Sequence, residues 1–201
     1  MDIILASTSP YRRRLLERLR IPFRCMAPDA DERPLHAEAP AAMATRLALA
    51  KARSISLAHP GALVIGSDQV AAAADEDPEG VAMGKPGNFQ AARLQLRASA
   101  GRVVTFYTGL ALRCEKSGFE RFHVERFRVH FREIDDKSIE NYLHLEEPYD
   151  CAGSFKCEGL GIALFERMEG NDPTSLEGLP LIALTSLLGE AGFPVLGTRW
   201  K

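Results

Sequence analysis

Two long strand patterns, Val103 to Arg113 and Phe119 to Arg132, flank Glu115-Lys116-Ser117-Gly118, and this hairpin signal constrains the fold more than any other feature. Strands joined that tightly pair antiparallel. Elsewhere apolar strand patterns alternate with helical ones, an order typical of α/β sheets. The expected fold is therefore α/β: a central mixed β-sheet flanked by helices, extended by the long antiparallel hairpin. No Pro/Gly/Ser-rich linker divides the 201 residues, so 1–201 reads as a single domain long enough to bury an apolar core.

Ile3-Ile4-Leu5-Ala6 reads as a buried strand, and Ser9 with Pro10 as the N-cap and first position of a helix. Tyr11, Arg12, Arg13 and Arg14 then fall in the first turn, where the helix dipole disfavours cations by about 0.3–1 kcal/mol each. A solvated basic face is one reading. A bound polyanion is the other, because a strand–loop–helix start is an anion site and three arginines behind a Ser-x-Ser loop favour phosphate.

Ile21 to Met26 forms a short strand running into the proline-flanked loop 27–34. An alanine-rich helix spans Pro40 to Ala58 and stops at His59-Pro60-Gly61. Leu63-Val64-Ile65 is a second apolar strand, delivering Gly66-Ser67-Asp68-Gln69-Val70 at its end. Asp75 to Gly80 is turn chemistry, and a short strand then brings in Gly84-Lys85-Pro86. Asn88 caps a helix from Phe89 to about Ala98, ended by Gly101. A helix over Asp136–His144, the glycine-rich stretch 151–161, a strand from Ile162 to Met168 and a helix from Pro180 to Glu190 complete the pattern.

A net charge of −2 argues against a protein whose main task is to coat nucleic acid, so no stable nucleic-acid complex is expected. Cys25, Cys114, Cys151 and Cys157 contain no C-x-x-C pair and follow no secretory leader. Thiols in a reducing cytoplasm are expected rather than a disulfide framework or a zinc site. No apolar run reaches the ~18–20 residues of a membrane span, so no membrane partner is expected either.

Asp68 follows a buried strand, where ligands collect in α/β sheets, although the same place suits a carboxylate capping a turn. Asp31 and Glu32 lie in a rigid loop where acids are usually solvated. Paired with a strand-end carboxylate, they would supply oxygen donors for Mg²⁺ or Mn²⁺ against substrate phosphates. Lys51, alone in an alanine-rich helix, reads as a surface residue or a ligand-facing cation. Lys85 sits in exposed backbone between Gly84 and Pro86, outside any P-loop pattern. Lys156 lies among Gly153, Gly159 and Gly161, consistent with a loop closing over a ligand. The five histidines lack metal-ligand spacing, and Cys151 and Cys157 read as small buried residues.

Leu5-Ala6-Ser7-Thr8-Ser9-Pro10-Tyr11-Arg12-Arg13, Asp31-Glu32, Lys51-Ala52, Ser67-Asp68-Gln69-Val70, Gly84-Lys85-Pro86, Gly153-Ser154-Phe155-Lys156 and Gly178-Leu179-Pro180 occur in that order. Together they resemble the Maf-like nucleotide pyrophosphatases over nearly the whole chain. Tyr11, Gln69 and Glu158 look like the branch acting on 7-methyl-GTP, whose commoner members carry tryptophan where Tyr11 stands. The resemblance implies hydrolysis of a nucleoside triphosphate to the monophosphate and pyrophosphate with a divalent metal. It implies Asp68 as the base, Glu32 and Asp68 as metal ligands, and Ser7, Arg12, Arg13, Lys51, Lys85 and Lys156 as triphosphate contacts. Tyr11, Gln69 and Glu158 would select the base, and Arg14, about 100° further around the helix per residue, is left as surface. A homodimer is expected because dimers are common in the family. A broader nucleotide pyrophosphatase, or a nucleotide- or RNA-binding regulator without turnover, remain the alternatives.

Overall fold

The computed structural model describes residues 2–73 and 82–197. Its elements begin with β1 (Ile3–Ala6), α1 (Pro10–Glu17), β2 (Arg24–Met26), α2 (Pro40–Ala58), β3 (Leu63–Ala73) and β4 (Ala82–Met83). Then follow α3 (Phe89–Ser99), β5 (Val103–Cys114), β6 (Phe119–Phe131), α4 (Asp136–Glu146), β7 (Phe165–Glu169) and α5 (Leu181–Glu190). The strands form one mixed sheet in the order β2-β1-β3-β5-β6-β7, with β4 beside β3. β1 runs parallel to β2 and β3, and the remaining pairs are antiparallel. The long hairpin is β5–β6, in register from Val103 opposite His130 to Cys114 opposite Phe119.

β1 is apolar throughout because both of its faces are covered. Ile3 and Leu5 pack with Leu15 and Leu16 of α1 and Leu184 and Leu188 of α5. Ile4 and Ala6 face the other way, onto Ala48 and Ala52 of α2. Past β3, Phe106, Phe127, Val129 and Phe131 build a separate cluster with Leu96 of α3 and Leu143 of α4. No helix among the described residues is long and apolar enough to cross a membrane.

Two expectations need correction. The strand begun by Leu63-Val64-Ile65 does not end at Gly66. β5 pairs with it as far as Ala73, so Asp68 lies mid-strand, opposite Gly109, and not beyond a strand end. The strand read from Ile162 begins at Phe165, because Leu160–Leu164 coils into a 3-10 turn first. The turn expected at Asp75–Gly80 lies outside the described residues.

α2 lies unusually close to the sheet, over a seam of two glycines. A Cβ on Gly66 would stand 2.2 Å from the Ala48 carbonyl oxygen and 2.8 Å from the Ala52 nitrogen. One on Gly109 would stand 2.2 Å from the Ala44 carbonyl oxygen. These obstacles are backbone, so the helix itself would have to move. Gly66→Ala should therefore cost about 1–3 kcal/mol, the range for overpacking. A melting temperature equal to wild type in thermal unfolding would show that the seam has slack.

Candidate functional site

The end of β1, the start of α1, the loop carrying Glu32, α2 and the middle of β3 surround a cavity of about 770 Å³. Residues 150–152 and 176–178 complete its wall. The close packing of α2 brings Lys51 down onto β3, where it is buried despite its charge. Its Nζ donates to Asp68 Oδ1 at 2.6 Å and pairs with Glu32 Oε1 at 2.7 Å. The Asp68 side chain is 13% exposed and that of Glu32 62% exposed, so the cation joins a sheet carboxylate to one at the cavity's solvent side. The hydrogen bond from Lys51 holds the Glu32 carboxyl below its usual range, helped by the nearby charges of Lys85 and Arg12. Among the described residues no group of three or more His, Cys, Asp and Glu could hold a metal ion. Two carboxylates are the donor set present here. Such a set suits a hard divalent cation that completes its shell with substrate phosphate and water.

The start of α1 forms as expected, with Ser9 Oγ accepting from the Arg12 amide at 3.4 Å and Pro10 at the first helical position. Ser7 is buried on the cavity wall, and its Oγ accepts from the Ser9 amide at 3.1 Å. Arg12 is half-buried, and its Nε donates to the Gly178 carbonyl at 2.8 Å. Burial lowers the guanidinium pKa from its usual value, against the opposing pull of Asp68 and Glu32. Lys85 lines the same cavity with its side chain exposed.

Two phosphate candidates are not brought there. Arg13 does not line the cavity; it is exposed and pairs with Glu17 at 3.0 Å, four residues further along the helix. Lys156 is also absent from the wall, because its Nζ donates to the Glu146 carbonyl at 3.0 Å, at the C-terminus of α4. Carbonyls at a helix end attract a cation. Asp31, read beside Glu32, is exposed and paired with Arg33 at 2.6 Å.

Successive β3 residues point to opposite faces of the sheet. Asp68 meets α2, while Ser67 and Gln69 reach the 3-10 turn Pro173–Glu177 and Gly178 beyond it. Gln69 lines the cavity, but its Nε2 donates to the carbonyls of Ser175 at 2.8 Å and Leu176 at 3.1 Å. The Gln69 amide donors hold the turn, which leaves Oε1 as its polar atom available to a ligand.

Tyr11 and Glu158 line the cavity together. Burial, then Cys151, Asp150 and Glu158, push the Tyr11 hydroxyl up to about 12. The Arg14 guanidinium, exposed as expected, lies 5.1 Å from the centre of the Tyr11 ring. Cys151 and Cys157 are half-buried wall residues and not core, and burial pushes both thiols up to about 12, which makes them poor nucleophiles. All four cysteines are free of disulfides. Glu177, on the same wall, was not singled out by sequence. It stands immediately before Gly178-Leu179-Pro180, which was, but no spacing marks it as a cavity acid.

Residues 2–191 match a family described as "Maf-like protein". A 7-methyl-GTP pyrophosphatase of Polaromonas sp. is 51% identical over 197 residues, 98% of this chain and 88% of its own length. Another of that name, from Nitrosococcus oceani, is 51% identical over 194 residues, covering 96% of this chain and 95% of its own. A third, from Colwellia psychrerythraea, is 47% identical over 199 residues, covering 99% and 97%. Among solved structures, a HAM1 protein from Coxiella burnetii superposes with a TM-score of 0.53 at 14% identity, over 94% of this chain and 99% of that one. That likeness concerns the fold alone.

Proposed function

Because the chain belongs to the Maf-like protein family, we propose that it is a nucleoside triphosphate pyrophosphatase acting on 7-methyl-GTP, yielding the monophosphate and pyrophosphate. One observation carries this reading: a strand carboxylate, a loop carboxylate and a buried lysine meet in one cavity with Arg12, Tyr11 and Glu158. The relatives named 7-methyl-GTP pyrophosphatase, at 47–51% identity over nearly the whole chain, support it. The working unit is the single domain 1–201, acting in the cytoplasm.

Arg12, Lys85 and the Ser7 hydroxyl hold the triphosphate, and the start of α1 adds backbone N–H groups. Asp68 orients a water and accepts its proton as the oxygen attacks phosphorus. The anhydride P–O bond breaks, and its electron pair leaves on the pyrophosphate oxygen. Lys51 keeps Glu32 ionised and, bonded to both carboxylates, holds Asp68 and Glu32 in place. Glu32 and Asp68 would hold Mg²⁺ or Mn²⁺, which when bound supplies charge neutralisation on the phosphate oxygens. At the base, the Tyr11 ring stacks with a cation–π contribution of about 0.5–2 kcal/mol, and Glu158 attracts the positive charge of a 7-methylated guanine.

Pyrophosphate release from 7-methyl-GTP, GTP, UTP and dTTP, with Mg²⁺ or Mn²⁺ supplied, tests the proposal. The expected result is the highest kcat/KM for 7-methyl-GTP. Equal hydrolysis of UTP or dTTP would overturn the substrate choice, and tight binding without any release would make the protein a nucleotide binder. Arg12→Ala should weaken triphosphate binding and slow turnover, whereas Arg13→Ala, outside the cavity, should leave both near wild type. Equal losses in the two variants would show that the basic helix start acts as a diffuse charge.

A further inference from the structure

Glu177 closes the Pro173–Glu177 turn and lines the cavity with Glu158 and Tyr11. Its side chain is 28% exposed, and the nearest cation the structure pairs with it is Arg18, at 3.9 Å and itself 59% exposed. Burial and the neighbouring Glu158 charge raise its carboxyl above the usual range. The turn is tightly anchored. Gln69 donates to Ser175 and Leu176, Thr108 Oγ1 donates to the Ser175 carbonyl at 2.9 Å, and Arg12 and Ser67 both donate to the Gly178 carbonyl. The backbone that carries Glu177 is therefore fixed in place, and it is linked through Gly178 to the arginine on the phosphate side of the cavity.

We propose that Glu177 is a specificity residue: with Glu158 it forms a two-carboxylate seat for a positively charged base carrying hydrogen-bond donors. The inference rests on the reading of 7-methyl-GTP as substrate. Guanine methylated at N7 carries delocalised positive charge, and its N1–H and 2-amino groups donate along one edge. The cations that act on Glu177, Arg18 and Arg14, are both exposed to solvent, and a positively charged base inside the cavity adds charge of the sign that the two carboxylates attract. Neutral guanine gains only the hydrogen bonds, and uracil gains neither the charge nor the donor pair.

Glu177→Gln keeps the size and an acceptor oxygen but removes the charge. The kcat/KM ratio of 7-methyl-GTP to GTP should fall about tenfold, between the effects of exposed and buried charge pairs. The value for UTP should stay within about twofold of wild type. Calorimetric binding of the two product monophosphates, 7-methyl-GMP and GMP, should lose the same preference without any turnover. Arg18→Gln breaks the surface pair and should leave the ratio unchanged. An equal loss on all three nucleotides in both variants, with a lowered melting temperature, would make Glu177 structural and overturn the inference. An unchanged ratio in Glu177→Gln, with wild type still preferring 7-methyl-GTP, would overturn the inference alone. A wild type without that preference would overturn the substrate reading beneath it.

Discussion

Replacing Asp68 with asparagine lowers turnover about 10²–10⁴-fold, the range for loss of a positioned general base, while the melting temperature stays close to wild type. Asparagine has the same shape but cannot take a proton from the attacking water. It can still accept from Lys51, now 2.6 Å from Asp68 Oδ1, and Lys51 keeps its second partner, Glu32, at 2.7 Å. The fold should therefore tolerate the change although the chemistry does not. Pyrophosphate release and thermal unfolding on the same preparation separate the two effects. Turnover within about threefold of wild type, in a normally folded protein, would show that another group activates the water.

The parts of the fold legible in the sequence are those set within a turn or two. Ser9 and Pro10 start α1, and Asn88 starts α3, because a cap or a proline acts on neighbouring N–H groups. The hairpin was readable for the same reason, its two strands being separated by only a short turn. β3 was not, because its second half, opened by the polar run Ser67-Asp68-Gln69, becomes strand through pairing with the distant β5, where Ser67 to Ala73 face Leu110 to Val104. The 3-10 turn at Leu160–Leu164 likewise depends on its surroundings, with the Leu160 amide donating to Glu146 Oε2 at 2.8 Å.

The site divides along the same line. Residue type and motif order brought out Asp68, Glu32, Lys51, Arg12, Lys85, Tyr11 and Glu158, all of which line one cavity. Residue type could not separate Arg12 from Arg13, because the difference is one step around a helix, with Glu17 waiting on the outer side. It could not foresee that the last turn of α4 would claim Lys156, or that Gln69 would spend its amide donors on the Pro173–Glu177 turn. Nor could it foresee the burial of Lys51. A lysine among alanines looks solvated until the Gly66–Gly109 seam lets α2 settle onto the sheet and carries the side chain over Asp68.

That burial sets the second large effect. Lys51→Met should destabilise the protein by about 3 kcal/mol or more, the cost of removing one partner of a buried ion pair. Most of the penalty belongs to Asp68, 13% exposed, since Glu32 at 62% exposed can turn to water. For a chain of this size the melting temperature should fall by about 2–4 °C per kcal/mol. The double variant Lys51→Met with Asp68→Asn should recover most of the loss, because no buried carboxylate is then left without its cation, and the cycle isolates the pair. Acid adds an independent check. Lys51 lowers the folded-state pKa of Glu32, so this contribution is present above the ordinary carboxylate range and fades as pH falls through the lowered value. In Lys51→Met that acid loss should shrink. If the variant melts at or above wild type with an unchanged acid profile, Lys51 does not neutralise the two carboxylates, and its place in the site must be explained by contact with substrate alone.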